Sequence, residues 1–234
     1  MVVIIGKWWS KLINFALKKG HSDKETQTLI VYTSLHPELI KLNYYQRIEE
    51  VPQGFVPCGV IDWCTGILGY VPIPEYYPHW LNHLLYRKVW LIDRWCMTKD
   101  IFIKPYSKPK KFKATITTGT YRGKKKDRWY WCSEKVNFVN EWRYYVVNGR
   151  ITYASWYDGL NEDQEPPIFD QSVIPKKWCG CIDMGMLDTG KFALVECGEP
   201  YSIGWYGRLS EGQIYVEFLA EGWKYLQNLK NNNF

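Results

Sequence analysis

Up to about residue 100 the apolar positions recur at mixed intervals; beyond it they fall in short alternating runs cut by turn residues. Between Gly6 and Lys19, residues Trp8, Trp9, Leu12, Ile13, Phe15, Ala16 and Leu17 recur with a period of about 3.6. Lysines gather at the far end, so the spacing predicts a helix closed by Gly20. Thr28 to Tyr32 reads as a short strand and Pro37 to Tyr45 as a second helix. Val60-Ile61-Asp62-Trp63 reads as a strand set among Pro52, Gly54, Pro57, Gly59, Gly66 and Gly69. Pro72, Pro74 and Pro78 precede a predicted helix from His79 to about Trp90. The expected N-terminal part, residues 1–99, is therefore a small α/β domain.

The remainder, residues 100–234, reads as hairpins and one closing helix. Ile101-Phe102-Ile103-Lys104 is a strand stopped by Pro105, and Phe112 to Thr118, Arg128 to Cys132 and Trp142 to Val147 are further strand candidates. Asn148-Gly149 lies between Tyr144-Tyr145-Val146-Val147 and Arg150-Ile151-Thr152-Tyr153, and both turn residues tolerate the positive φ of a type I′ hairpin. Cys181 to Met186 and Lys191 to Cys197 form a second predicted hairpin, turned by Asp188-Thr189-Gly190. Glu211 to Leu226 is the predicted closing helix.

Composition narrows the class. The 234 residues weigh 27.8 kDa, with 46% apolar and 23% charged residues, so disordered, collagen-like and disulfide-scaffold proteins are excluded. No apolar run approaches the roughly 20 residues needed to span a bilayer, and Met1 to Gly6 is broken by Lys7 with no basic stretch before it. Neither a membrane span nor a secretory signal is expected. The seven cysteines hold no Cys-x-x-Cys pair, which fits small core residues in a reducing, cytoplasmic setting. Aromatic residues reach 17%, suited alike to cores, ligand pockets and base stacking.

Charge is concentrated. Between Lys104 and Arg128 lie eight Lys and two Arg against one acid, Asp127, while the rest of the chain is net acidic. Asp158 to Asp170 carries five acids, no base and Pro166-Pro167, the pattern of an exposed acidic loop. One basic segment on an otherwise acidic chain points to a phosphate-bearing ligand, small or polymeric.

Three features then fall in order. Lys104 is delivered from the end of a strand and is followed by Lys111; Ser133-Glu134-Lys135-Val136 precedes Glu141-Trp142-Arg143; and Asp183 stands on one arm of the second hairpin with Glu196 on the other. Residues so spaced across a hairpin can lie side by side on one face, where two carboxylates converge on a divalent cation. Cations from one lobe and paired carboxylates from another are what a nucleotide site requires. No P-loop and no Gly-x-Gly-x-x-Gly is present, so neither of those nucleotide folds is supported.

Phe102-Ile103-Lys104-Pro105, Lys111-Phe112, Ser133-Glu134, Glu141 to Arg150, Asp183-Met184-Gly185 and Leu194-Val195-Glu196 together resemble the ATP-grasp ligases. Within them the order is most similar to the clade named for two arginines and a lysine, common in bacteria and phages. Val56 to Trp63, Tyr77-Pro78 to Arg87 and Ile203 to Gly207 resemble flanking segments of the same clade, so the likeness spans about residues 56 to 207. The resemblance implies an α+β ATP-grasp fold: two α+β lobes with antiparallel sheets, preceded by the small α/β domain. It implies ATP-dependent joining of a carboxylate to an amine through an acyl phosphate, with ATP and Mg²⁺ bound and a small molecule or peptide as acceptor. Carried over by position, Lys104 and Lys111 would contact the phosphates, Ser133, Glu134 and Val136 would line the nucleotide pocket, and Arg143 with Lys104 would act in catalysis. Asp183 and Glu196 would hold magnesium. The family's metal strand usually reads Glu-x-Asn where this chain has Glu196-Cys197-Gly198, and Glu199 is the substitute ligand if a bulge at Gly198 turns it back.

Two other readings stand beside this one. A nucleotide-binding scaffold with weak activity follows if Gly198 cripples the metal site. A nucleic-acid-binding module follows if Tyr106, Phe112, Tyr121, Trp129, Tyr130 and Trp131, interleaved with the cations of 104–131, stack on bases. His79 and His83 sit one helical turn apart in the predicted helix but lack the Glu of a zincin motif, so ordinary histidines are expected.

Overall fold

The structure is a computed structural model that describes residues 12–93, 100–117 and 128–232. The chain divides into two compact units, residues 1–70 with 200–234, and residues 71–199.

The first unit holds a parallel sheet in the order β2-β1-β3, with β1 Ile13–Lys18, β2 Ile40–Tyr45 and β3 Val56–Pro57. Helices α1 (Lys24–Leu35), α2 (Ile61–Leu68) and α3 (Gly212–Asn232) complete it. The α/β class expected here is present, but several elements are exchanged. The Gly6–Lys19 helix is replaced over its described part by β1, whose Phe15, Ala16 and Leu17 are wholly buried. A central parallel strand is covered on both faces, so its apolar residues run together and imitate a helical stripe. Thr28–Tyr32 lies instead inside α1, despite its β-branched residues. Asp23 starts that helix by accepting from Thr26 N at 2.8 Å while Thr26 Oγ1 accepts from Asp23 N, a capping box with Thr in place of Glu. Pro37–Tyr45 yields β2 rather than a helix, and Ile61–Trp63 opens α2, which Gly69 ends at φ 82°.

The second unit consists of two antiparallel four-stranded sheets. The first sheet runs β4-β7-β5-β6, from β4 (Val89–Asp93), β5 (Ile101–Pro105), β6 (Thr115–Ile116) and β7 (Trp129–Glu134). The second runs β11-β10-β8-β9, from β8 (Phe138–Val147), β9 (Arg150–Gly159), β10 (Gly180–Leu187) and β11 (Phe192–Gly198). Both predicted hairpins form. Asn148 and Gly149 adopt φ 49° and 73°, the left-handed pair a type I′ turn requires.

The helix expected from His79 to Trp90 is only a 3₁₀ turn, His79–Leu84, followed by β4. Tyr86 adopts φ 47°, which no continuing helix accommodates. The boundary expected between residues 99 and 100 falls between β4 and β5 of one sheet, and α3 belongs to the first unit rather than to the hairpin region. All three described α-helices thus lie in the first unit.

Period-two alternation on β8, β10 and β11 sorts two faces. Trp142, Tyr144, Val146, Ile182, Met184, Leu194 and Cys197 join Tyr76, Tyr77, Leu81 and Ile174 in one apolar core, against which Val89 and Trp131 of the other sheet pack. A smaller core of Ile101, Ile103, Tyr130 and Cys132 lies within the first sheet. The residues alternating with the larger core face the other way, and they carry the charges.

Candidate active site

In the β8-β10 ladder Arg143 stands opposite Asp183 and Glu141 opposite Gly185; in the β10-β11 ladder Asp183 stands opposite Glu196. Arg143 and Asp183 are 8% and 1% exposed, and the guanidinium grips the carboxylate through both arms, Nε to Oδ1 at 2.8 Å and Nη2 to Oδ2 at 2.7 Å. Burial works against the Arg143 charge, but the Asp183 carboxylate together with Cys181 and Tyr145 holds the pKa above its ordinary value. The Tyr157 ring lies 4.5 Å from the guanidinium carbon. Opposite Arg143 on β9 is Ser155.

Lys104 comes from the other sheet. It lies near the end of β5, is 8% exposed, and its ammonium pairs with the Glu196 carboxylate while lying 4.5 Å from the Tyr76 ring centre. Burial pulls the ammonium down to about 7, Asp183 and Glu141 favour its charge, and Arg87 opposes it. Glu141 is half-buried, and burial together with Asp183 and Asp158 raises its carboxyl to about 7 against the pull of Lys104 and Arg143. The result is a desolvated set of alternating charges, Lys104, Glu196, Asp183, Arg143 and Glu141, contributed by both sheets. Three acids and two cations thus stand together, with each cation already paired to a carboxylate.

The other expected residues divide. Ser133 and Glu134 end β7, and Val136 lies in the three-residue link that carries the chain from one sheet to the other. Ser133 Oγ donates to Glu134 O at 3.1 Å, and the Glu134 carboxylate accepts from Lys88 N at 2.9 Å. Lys111 is exposed on the loop after β5, its ammonium donating to Ser107 Oγ at 3.1 Å.

Glu199 does not join Asp183 and Glu196 as a third ligand: among the described residues no group of three metal-ligating side chains forms. The register runs evenly from Glu196 to Gly198, where β11 ends, so no bulge at Gly198 turns Glu199 back. The bulge lies at Val195 instead, between the pairs Asp183–Glu196 and Met184–Leu194. Glu199 faces Glu75, and burial with that neighbouring charge lifts its carboxyl to about 7.

The stacking platform expected in 104–131 is largely internal. Tyr130 is core, Phe112 packs on it, and Trp131 sits edge-on to Tyr77; of the described rings Trp129 is exposed, while Tyr121 lies outside the described residues. The acidic stretch is a loop from Leu160 onward, with Asp158 still on β9, and it is pinned by Asn140, whose side chain accepts from Leu160 N and Asn161 N at 2.8 and 2.9 Å. His79 and His83 are exposed on their 3₁₀ turn. The six described cysteines are buried and free, and no described helix is long and apolar enough to cross a membrane.

Two residues near these charges have no role assigned from the sequence. Glu141 stands in the Glu141-Trp142-Arg143 stretch, and its alternation with buried Trp142 is the signal for its face. Arg87 carried no signal, because its contacts are to backbone carbonyls far along the chain.

Comparison with solved structures places the fold. N5-carboxyaminoimidazole ribonucleotide synthetase from Thermotoga maritima superposes with a TM-score of 0.50 at 10% identity, covering 89% of this chain and 76% of that one. D-alanine--D-alanine ligase from Bacillus anthracis gives 0.49 at 10% identity, covering 95% of this chain and all of that one. No curated protein matches by sequence. A family model for an ATP-grasp domain, family 2 of the clade named for two arginines and a lysine, matches residues 85–215, more than half of the chain, and includes Lys104, Arg143, Asp183 and Glu196. The fold is α+β and ATP-grasp, and the chain belongs to family 2 of that clade of ATP-grasp domains.

Proposed function

We propose that this chain is an ATP-dependent ligase that joins a carboxylate to an amine, forming ADP. The observation that carries the reading is the pair of cation–carboxylate contacts, Lys104 with Glu196 and Arg143 with Asp183, gathered from two sheets inside the region matched by the family model. The substrate carboxylate attacks the terminal phosphorus of ATP, ADP departs, and the acyl phosphate is attacked by the amine. The carbon–nitrogen bond forms as phosphate leaves and the ammonium proton is lost. Lys104 and Lys111 neutralise the phosphates, Arg143 stabilises the transferring phosphoryl group, and Ser133, Glu134 and Val136 border the nucleoside at the crossing between sheets.

Asp183 and Glu196, cross-strand neighbours on one face, would hold magnesium by sharing the oxygens that Arg143 and Lys104 now engage, its other positions going to phosphate and water. When bound, the ion supplies charge neutralisation at the phosphates. Glu199 has no part in this set.

Calorimetric titration of ATP with and without Mg²⁺ into the unmodified protein, Lys104→Ala and Glu196→Ala tests the reading. Saturable, magnesium-enhanced binding is expected, weakened at least about tenfold in both variants. Equal binding in all three, or none in the unmodified protein, refutes it. ADP release on adding candidate carboxylates and amines then identifies the substrates.

A further inference from the structure

Arg87 lies in the short segment between the 3₁₀ turn and β4, and it is half-buried. Its guanidinium has no described carboxylate within ion-pair distance; it donates to three carbonyls instead. Nη1 reaches Leu194 O at 2.6 Å and Leu85 O at 3.2 Å, and Nη2 reaches Val195 O at 2.9 Å. The Tyr77 and Phe138 rings flank it, 5.7 and 5.4 Å from the guanidinium carbon.

Val195 is the extra residue of the β11 bulge, and β11 is the edge strand of its sheet. A bulge on an edge strand exposes carbonyls that no ladder satisfies. Arg87 binds two successive carbonyls there, which a regular strand would aim to opposite sides. A little further along, Cys197 N donates to Tyr76 O at 2.8 Å. The segment from Tyr76 to Arg87 thus clamps the outer edge of β11 on both sides of Glu196. A one-residue slip would carry Glu196 to the apolar face and put Val195 opposite Asp183.

We propose that Arg87 is a positioning residue that fixes the Val195 bulge and thereby holds Glu196 beside Asp183 and against Lys104. Its fork is suited to this, because the planar guanidinium presents parallel donors where a lysine ammonium is a point charge. This rests on the ligase reading above and adds to it the device that sets the geometry of the carboxylate pair.

The test is the ratio of ATP affinity with Mg²⁺ to that in EDTA, measured calorimetrically for the unmodified protein, Arg87→Lys and Arg87→Met, with near-ultraviolet circular dichroism to verify packing. Residues that orient a ligand typically alter metal affinity about 10–100-fold when changed. Both variants are expected to lose about tenfold or more of the magnesium enhancement while metal-free ATP affinity stays within about twofold. Arg87→Lys keeps the charge, so its loss assigns the effect to the fork. An unchanged ratio in Arg87→Lys overturns the proposal, as does an equal fall in both affinities. If the Arg87 variants do not fold, Phe138→Leu carries the test, with a smaller loss in the same ratio expected and no change overturning it. Absence of magnesium-enhanced binding in the unmodified protein refutes the ligase reading itself, a separate outcome.

Discussion

Replacing Glu141 with Gln isolates the electrostatic cost of building this cleft. Glu141 is half-buried beside Asp183 and Asp158, and its carboxyl is raised from 4.5 to about 7. Below 4.5 both the folded and unfolded chains hold the proton and the site costs nothing. As pH rises from 4.5 to 7 the unfolded chain releases its proton first, so stability falls across that window, and above 7 the loss is constant. A shift of this size costs at most about 3 kcal/mol, and partial solvent screening reduces it to about 1–3 kcal/mol. Gln fills the same space without the charge. Urea unfolding followed by tryptophan fluorescence at about pH 5.5 and about pH 8.5 reads the effect. Glu141→Gln is expected to be more stable than the unmodified protein at both, with an advantage larger by about 1–2 kcal/mol at the higher pH. An advantage independent of pH, or one that shrinks as pH rises, would refute the reasoning, because a mere packing change does not titrate.

Three further outcomes follow from the same geometry. Asp183→Asn leaves the buried Arg143 guanidinium without its counter-ion, and urea unfolding should register a loss of about 3–5 kcal/mol. Asn140→Ala removes the acceptor that pins Leu160 N and Asn161 N together with the donor to Gln164, so urea unfolding should show a loss of about 1–3 kcal/mol and limited proteolysis should cut within 159–165. Gly149→Ala places a Cβ 2.7 Å from Pro175 O and 2.8 Å from the Lys176 Cα, at φ 73°, so thermal unfolding should show a loss of at least about 1 kcal/mol.

How much of each element is legible in the chain follows the kind of interaction that makes it. Hairpins are local: Asn148-Gly149 and Asp188-Thr189-Gly190 specify their turns within a few residues, so β8 to β11 and the pairing of Asp183 with Glu196 are accessible to sequence reasoning alone. The first unit depends on distant partners. β1 is a strand because β2 and β3 flank it, and Thr28–Tyr32 is helical because Asp23 caps it and one face, Thr26, Leu29 and Tyr32, is buried. The class survived although individual elements were exchanged, since a mixture of apolar segments packs as α/β whichever segment plays which part.

The site shows the same division more sharply. Strands β8 and β10 use one alternation for two purposes: Trp142, Tyr144, Ile182 and Met184 build the core, and Glu141, Arg143 and Asp183 build the cleft on the reverse. Because the period is two, the core determines which side chains reach the cleft, and a strand that kept its apolar residues while slipping one position would lose the site entirely. Lys104 could be expected from sequence because an apolar strand ends on it, whereas its meeting with Glu196 across the two sheets could not. Arg87 is the extreme case: two of the carbonyls it satisfies lie more than 100 residues away, and carbonyls carry no sequence identity. The residues proposed to do chemistry therefore leave a trace in residue type, and the one proposed to aim them leaves one only in the fold.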